Sequence, residues 1–181
     1  MGEIKSAIEL AMERTKGFVM DAKEKEQSLI QEAEQKLKGL LRRFLEGSIG
    51  SEEVLAQLGK IELPEPMKKR LFCDVAVSVF DVATDNARLF ELLLLLNGDM
   101  AKDLKKDLLS LQKQFSSEMD KRKTDVRKQI LGRLKTAGIS GSAVEPNLEA
   151  WEEWDQAVAE TRSVFKERLE RWKDKMKAAC V

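Results

Sequence analysis

Between residues 4 and 44, apolar or small side chains recur in steps of three and four: Ile4, Ile8, Ala11, Thr15, Phe18, Ala22, Leu29, Ala33, Leu37, Leu40 and Phe44. Only Glu26 breaks the run. Side chains three and four apart share a face of an α-helix, so this spacing draws one narrow stripe along one long helix. The stripe is closer to a coiled-coil seam than to a broad core-facing side, and Glu26 is the kind of polar seam position that sets register. At 1.5 Å per residue a helix over residues 2–46 would be about 65 Å long, beyond the diameter of a compact domain of this size. Gly17 and Gly39 each weaken it by about 1 kcal/mol relative to Ala, and Gly47 and Gly50 end it. Such a helix has to project, bend at a glycine, or pack on another chain.

The remaining chain reads as further helices. A short one over 51–58 is capped by Ser51 and stopped near Gly59, and "IELPEP" follows as a stiff extended connector. Within the next segment "CDVAVSVFDV" alternates well enough for a strand, with Val75, Val77 and Val79 on one face. The helical alternative aligns Met67, Leu71, Val75, Val79, Ala83, Phe90 and Leu93. Segment length, the polar "DVATDNARLFE" and the lack of a partner strand favour one helix over 66–97. "NGD" marks a turn, with Asp99 placed to cap a helix over 99–137 that ends at Gly138. The last helix, over 147–179, opens on Glu149, Glu152, Glu153 and Asp155 and closes on Arg168, Arg171, Lys173, Lys175 and Lys177, the charge order that suits its dipole. The intervening "GISGSAVEP" reads as a hinge that tucks Ile139 and Val144 into the core; an anion held by its amides would face Glu145, Glu149, Glu152 and Glu153.

The expected fold is therefore all-α: an elongated bundle of four long helices plus one short helix. Residues 1–47 form a coiled-coil-like oligomerisation element and residues 48–181 the bundle core. Composition agrees, with 35% charged and 6% aromatic residues. Acidic and basic residues balance at 32 each, which excludes a global charge aimed at nucleic acid or a membrane surface. Lys5, Glu9 and Glu13 interrupt the N-terminus before a signal-peptide core can form, and the longest apolar run, 92–96, is too short to span a bilayer. Cys73 and Cys180 are too few for a disulfide framework. Cys73 reads as a small buried apolar residue and Cys180 as part of a frayed tail, so a reducing, cytoplasmic setting without membrane association is expected.

Catalysis finds little support. There is no His, which removes the commonest general base and metal ligand. The cysteines lack a CxxC partner, and Glu152 and Glu153 are adjacent on a helix and cannot face one another. Asp74, Asp81 and Asp85 on the most apolar helix mark its one wet face. No catalytic residue, metal ligand or cofactor is assigned, and a non-enzymatic role is expected. The one basic segment, residues 99–138, carries 11 Lys and Arg against 6 Asp and Glu. Within it, "KRKTDVRKQILGRLK" offers Lys121, Lys123 and Lys128 as nucleic-acid contacts. Asp120 and Asp125 interrupt that run and no aromatic platform accompanies it, which leaves nucleic acid the less favoured partner.

The opening "MGEIKSAIELAMER" together with "LKTAGISGSAVEPNLEAWEEW" resembles an uncharacterised bacterial all-helical family, a domain of unknown function. That resemblance implies a helical protein and no activity, cofactor or catalytic residue. "KEKEQSLIQEAEQKLKGLL" is similar, in composition only, to the N-terminal helices of rotary ATPase peripheral-stalk subunits.

The function expected from these features is structural. The chain self-associates, a dimer being favoured, or docks on another helical protein, through Ile4, Ile8, Phe18, Leu29, Leu37 and Phe44. Nucleic-acid binding through residues 121–135 is the alternative, and a stalk-like subunit of a larger assembly a weaker one. Trp151, Trp154 and Trp172 are expected to anchor the last helix in the core.

Overall fold

A computed structural model describes residues 22–97 and 101–180. Among them the chain is all-α, with six helices and no strand: α1 (Ala22–Leu45), α2 (Ser51–Gly59), α3 (Glu65–Ser78), α4 (Ala87–Asn97), α5 (Ala101–Thr136) and α6 (Glu152–Ala179). A single 3₁₀ turn, Leu148–Ala150, precedes α6. The chain divides into two compact units, Met1–Glu65 and Pro66–Val181. The division thus falls within "IELPEP" and not at residue 47, because α2 folds with α1.

In the first unit the polypeptide reverses at Gly47. Its φ of 80° is left-handed, a conformation that suits a residue without Cβ. The Gly47 amide donates to the Phe44 carbonyl at 3.0 Å and the Ser48 amide to Arg43 at 2.9 Å. This paired closure satisfies the last carbonyls of α1 and turns the chain back. Leu37, Leu41 and Phe44 of α1 are then fully buried along with Val54 of α2, with Ile49 and Leu58 nearly so.

In the second unit, α5 buries Leu108, Leu111, Phe115, Val126 and Ile130, and α6 buries Ala157, Thr161, Phe165, Leu169, Trp172 and Met176. Both lists follow helical spacing. Ala157 is the buried residue at the start of this stripe and its neighbour Val158 is only half-buried. Phe115 and Phe165 meet edge to face with centroids 5.3 Å apart. Towards the far end of α5, Val126, Ile130 and Ala157 are covered by Leu134, Leu148, Trp151 and Trp154. At the other end Trp172 packs on Phe80 and Phe90, with centroids 5.0 and 6.0 Å away. Its indole Nε1 donates to the Leu104 carbonyl at 2.8 Å.

Three expectations are corrected here. The single helix over 66–97 is two helices, α3 and α4, separated by residues 79–86. Hydrogen bonds local to that segment outcompete the helix: Asn86 Nδ2 donates to the Asp81 and Thr84 carbonyls (2.7 and 3.0 Å), Ala83 N to Asp81 Oδ1 (2.7 Å) and Ala87 N to Asp85 Oδ1 (2.9 Å). Asp and Asn side chains offer the backbone such alternatives. Phe80 also leaves the helical path to bury itself beside Phe90 and Trp172. Secondly, Ile139 does not tuck into the core but is half exposed. Gly138, at φ 83°, closes α5 with the bond pair seen at Gly47, Gly138 N to Lys135 O and Ile139 N to Leu134 O, and the chain leaves α5 at the surface. Thirdly, Cys73 and Cys180 form a disulfide, their Cα atoms 6.3 Å apart. It ties α3 to the C-terminus of α6. The "NGD" turn with Asp99 lies outside the described residues.

Two stability measurements follow. The Cys73–Cys180 bond joins residues 107 apart, and closing a loop of about 100 residues stabilises by up to ~4.7 kcal/mol through the unfolded chain. Cys180→Ser, or reductant on the native protein, should therefore lower the melting temperature, and the two treatments should not add. Asn86 is buried with only 3% of its surface exposed. Asn86→Ala removes the donor to the Asp81 carbonyl and one of the two at Thr84, where Gln112 Nε2 remains at 2.6 Å, and should destabilise by roughly 1–3 kcal/mol in denaturant unfolding.

Candidate protein-docking groove

The six residues nominated for an interface separate in the structure. Ile4, Ile8 and Phe18 lie outside the described residues. Leu37 and Phe44 are buried in the first unit, where they hold α2, and so are not presented to a partner. Leu29 remains 49% exposed. The stripe has two fates among the described residues because α2 covers only the C-terminal part of α1 and leaves Leu29 half exposed.

Leu29 stands at one end of a groove of about 660 Å³ contained wholly in the first unit. One wall is α1, from Leu29 through Ala33, Lys36, Gly39 and Leu40 to Arg43; the other is formed by Gln57 and residues 60–63. Ala33 and Leu40 are buried at its base, and Ile61 and Leu63 line it half-buried. The groove's chemistry is mixed: apolar at the base, charged at the rim. Gly39 is exposed, and a Cβ built on it meets nothing within 4 Å. Glycine within a helix is about 1 kcal/mol less favourable than Ala, and among the described residues no neighbour requires it here.

At the rim Lys36 bonds Glu32 at 2.8 Å. This hydrogen bond, reinforced by the opposite charge, holds the Glu32 carboxyl below its ordinary range and raises Lys36 in turn. A carboxyl lowered in the folded state adds stability above its unfolded pKa and loses it as pH falls through the folded value. Both groups are solvent-exposed, so screening leaves the effect on folding small.

The nominated nucleic-acid contacts lie on α5. Lys121, Lys123 and Lys128 are all exposed. Lys121 and Lys128, seven residues apart, share the line opposite the buried face, whereas Lys123 stands about 160° around the helix. Three arginines of the same segment are engaged by carboxylates: Arg122 by Glu118 and Glu160 (3.2 and 3.4 Å), Arg127 by Glu145 (3.2 Å) and Arg133 by Glu153. Glu153 is held below the ordinary carboxylate range by a backbone hydrogen bond first and by Arg133 second. The basic excess of the sequence is thus partly cancelled in space by acids from the 139–181 segment, and Glu145 in the 138–146 hinge faces Arg127, not an anion.

Asp74 and Asp81 do not share a helical face, since Asp81 sits in the 79–86 segment with Asp85. Among the described residues no group of three or more Cys, Asp or Glu is disposed to hold a metal ion, and no helix is long and apolar enough to cross a membrane. The groove escapes sequence reading because its second wall, residues 60–63, is brought to α1 only by the reversal at Gly47. Gly39 was the available signal: a helix-weakening residue inside an otherwise regular stripe.

No protein-family model matches the sequence, and neither a curated protein nor a solved structure matches it significantly. The likeness to an uncharacterised helical family therefore remains one of short motifs.

Replacing Lys36 with Met should move the Glu32 titration midpoint upward, to that of an unpaired glutamate, in a carboxyl NMR titration, with no measurable change in melting temperature.

Proposed function

We propose that this protein is a non-catalytic assembly protein that self-associates through the first unit. The observation that carries the reading is Leu29: a large apolar side chain on a regular seam, left half exposed at the mouth of a groove. Apolar surface on a seam contributes to stability only when something covers it. The sequence repeats the same seam spacing over residues 4–18, a second run of apolar positions of the same kind. A second copy is the simplest cover, because closed symmetric dimers satisfy identical surfaces on both subunits. The groups lining the groove are ordinary docking chemistry, with aliphatic side chains below and paired charges above, and none is poised as an acid, base or nucleophile.

The nucleic-acid alternative gains less, since the arginines of residues 121–135 are already paired with carboxylates and only two of its three lysines share a line.

Light scattering behind size exclusion on the full chain tests the reading. Wild type should run as a dimer. Ile8→Asp combined with Leu29→Asp should give a monomer that keeps its helical circular dichroism, because Leu29 is half exposed and outside the core of α1 and α2. A monomeric wild type across the accessible concentration range, or a double variant of unchanged mass, refutes the proposal.

A further inference from the structure

Resting on the self-association reading, we infer that the first unit pairs with a second copy through α1 itself. Two α1 helices run antiparallel, each lying in the other's groove, with Leu29 of one chain seated over Gly39 of the other. The surface concerned is a second stripe of α1, beside the one that α2 covers. Lys25, Leu29, Glu32, Lys36, Gly39 and Arg43 recur in alternating steps of four and three, and all six are exposed. Helix–helix seams repeat with that spacing, and every one of these residues except Lys25 lines the groove.

Three features select this occupant and register. The first is that the seam, reversed, is its own complement. Laid antiparallel about a two-fold axis level with residue 34, it sets Leu29 against Gly39 and Glu32 against Lys36. Each layer then occurs twice, as an isologous interface requires. Glu32 and Lys36, already 2.8 Å apart within each chain, form a ring of four charges of alternating sign around the axis. The second feature is that other arrangements of the same seam pair badly. A parallel dimer brings Glu32 onto Glu32 and Lys36 onto Lys36. Sliding the antiparallel dimer by one heptad in either direction sets Leu29 against a carboxylate, Glu46 or Glu32. The third is fit. Leu29 is the one large apolar side chain of the seam, 49% exposed, and Gly39 is its one position without a Cβ, with open space above it. Ile61 and Leu63, half-buried on the opposite wall, make that side of the groove apolar. A seat for Leu29 thus gives the helix-weakening glycine a purpose. The outermost layer, Lys25 against Arg43, is the unfavourable one. Arg43 there lies 3.7 Å from Glu53, and both cations can extend into solvent.

The experiment is a bump-and-hole pair in the full chain, read as dimer dissociation constant by analytical ultracentrifugation. Gly39→Leu fills the seat, and because Leu is the better helix former it does not weaken α1 itself. The constant should rise by about 10-fold or more, the effect of overpacking a close contact. Adding Leu29→Ala to Gly39→Leu should recover most of that loss, a non-additivity expected of residues in contact. Independently, a chain carrying Leu29→Cys mixed with one carrying Gly39→Cys should crosslink position 29 to position 39 on air oxidation, read by peptide mass spectrometry. Neither chain alone should crosslink to its own kind, since those positions lie about 15 Å apart along the paired helices. An unchanged constant for Gly39→Leu, no rescue by Leu29→Ala, or crosslinks between two copies of position 29 overturns the register. Self-association still stands in that case if Ile8→Asp with Leu29→Asp dissociates the dimer. A dimer that Ile8→Asp alone dissociates and Gly39→Leu does not has its contact outside α1, which overturns this inference only. A wild type that never dimerises overturns both readings.

Discussion

The indole of Trp172 meets two demands at once, and the second unit is arranged around them. Its ring system needs apolar neighbours, which Phe80 and Phe90 provide from the 79–86 segment and from α4. Its N–H needs an acceptor once it is out of water, and the Leu104 carbonyl in the first turns of α5 supplies one at 2.8 Å. One side chain of α6 therefore joins three other stretches of chain. Because Phe80 has to reach this cluster, the polypeptide cannot stay helical from α3 into α4. Asn86 then donates to the Asp81 carbonyl exposed by the interruption and shares the Thr84 carbonyl with Gln112 Nε2. The disulfide lies at the same end of α6, eight residues beyond Trp172, and holds α3 to it covalently.

The first unit depends on a different constraint, the reversal at Gly47. Had the chain continued as helix, Leu37, Leu41 and Phe44 would share one exposed stripe with Leu29. Turning α2 back covers the first three and stops short of the fourth. The same reversal brings residues 60–63 alongside α1 and makes a groove where the sequence shows only a helix face. What the unit can bind is thus a consequence of how far its short second helix reaches.

Much of this architecture is legible in residue spacing. The stripes of α5 and α6 and the boundaries at Gly47, Gly138 and Asn97 follow from local rules of periodicity and capping, and the structure places helices there. The missed break at 79–86 had a local signal as well, since Asp81, Thr84, Asp85 and Asn86 cluster in six residues, all side chains that compete for backbone groups. It was outweighed by the helical spacing of Val75, Val79, Ala83 and Phe90. Cys73 and Cys180 had no such signal. Nothing in a separation of 107 residues says that α3 and the end of α6 are neighbours. The burial of Leu37 and Phe44 escaped sequence reading for a related reason: they share one helical stripe with Leu29 and differ from it only in what lies above them.

By itself the sequence determined that this is a helical protein, where most of its helices run and which face of each is apolar. Those are properties of 3.6-residue periodicity and end-capping, which involve residues within a few positions of one another. Tertiary structure alone decided which apolar positions are covered and which are left at a surface. That outcome depends on elements far away in the chain, through the length of α2, the path of Phe80 and the proximity of Cys73 to Cys180. The groove at Leu29 and Gly39 belongs to the second category, and so does any function that rests on it.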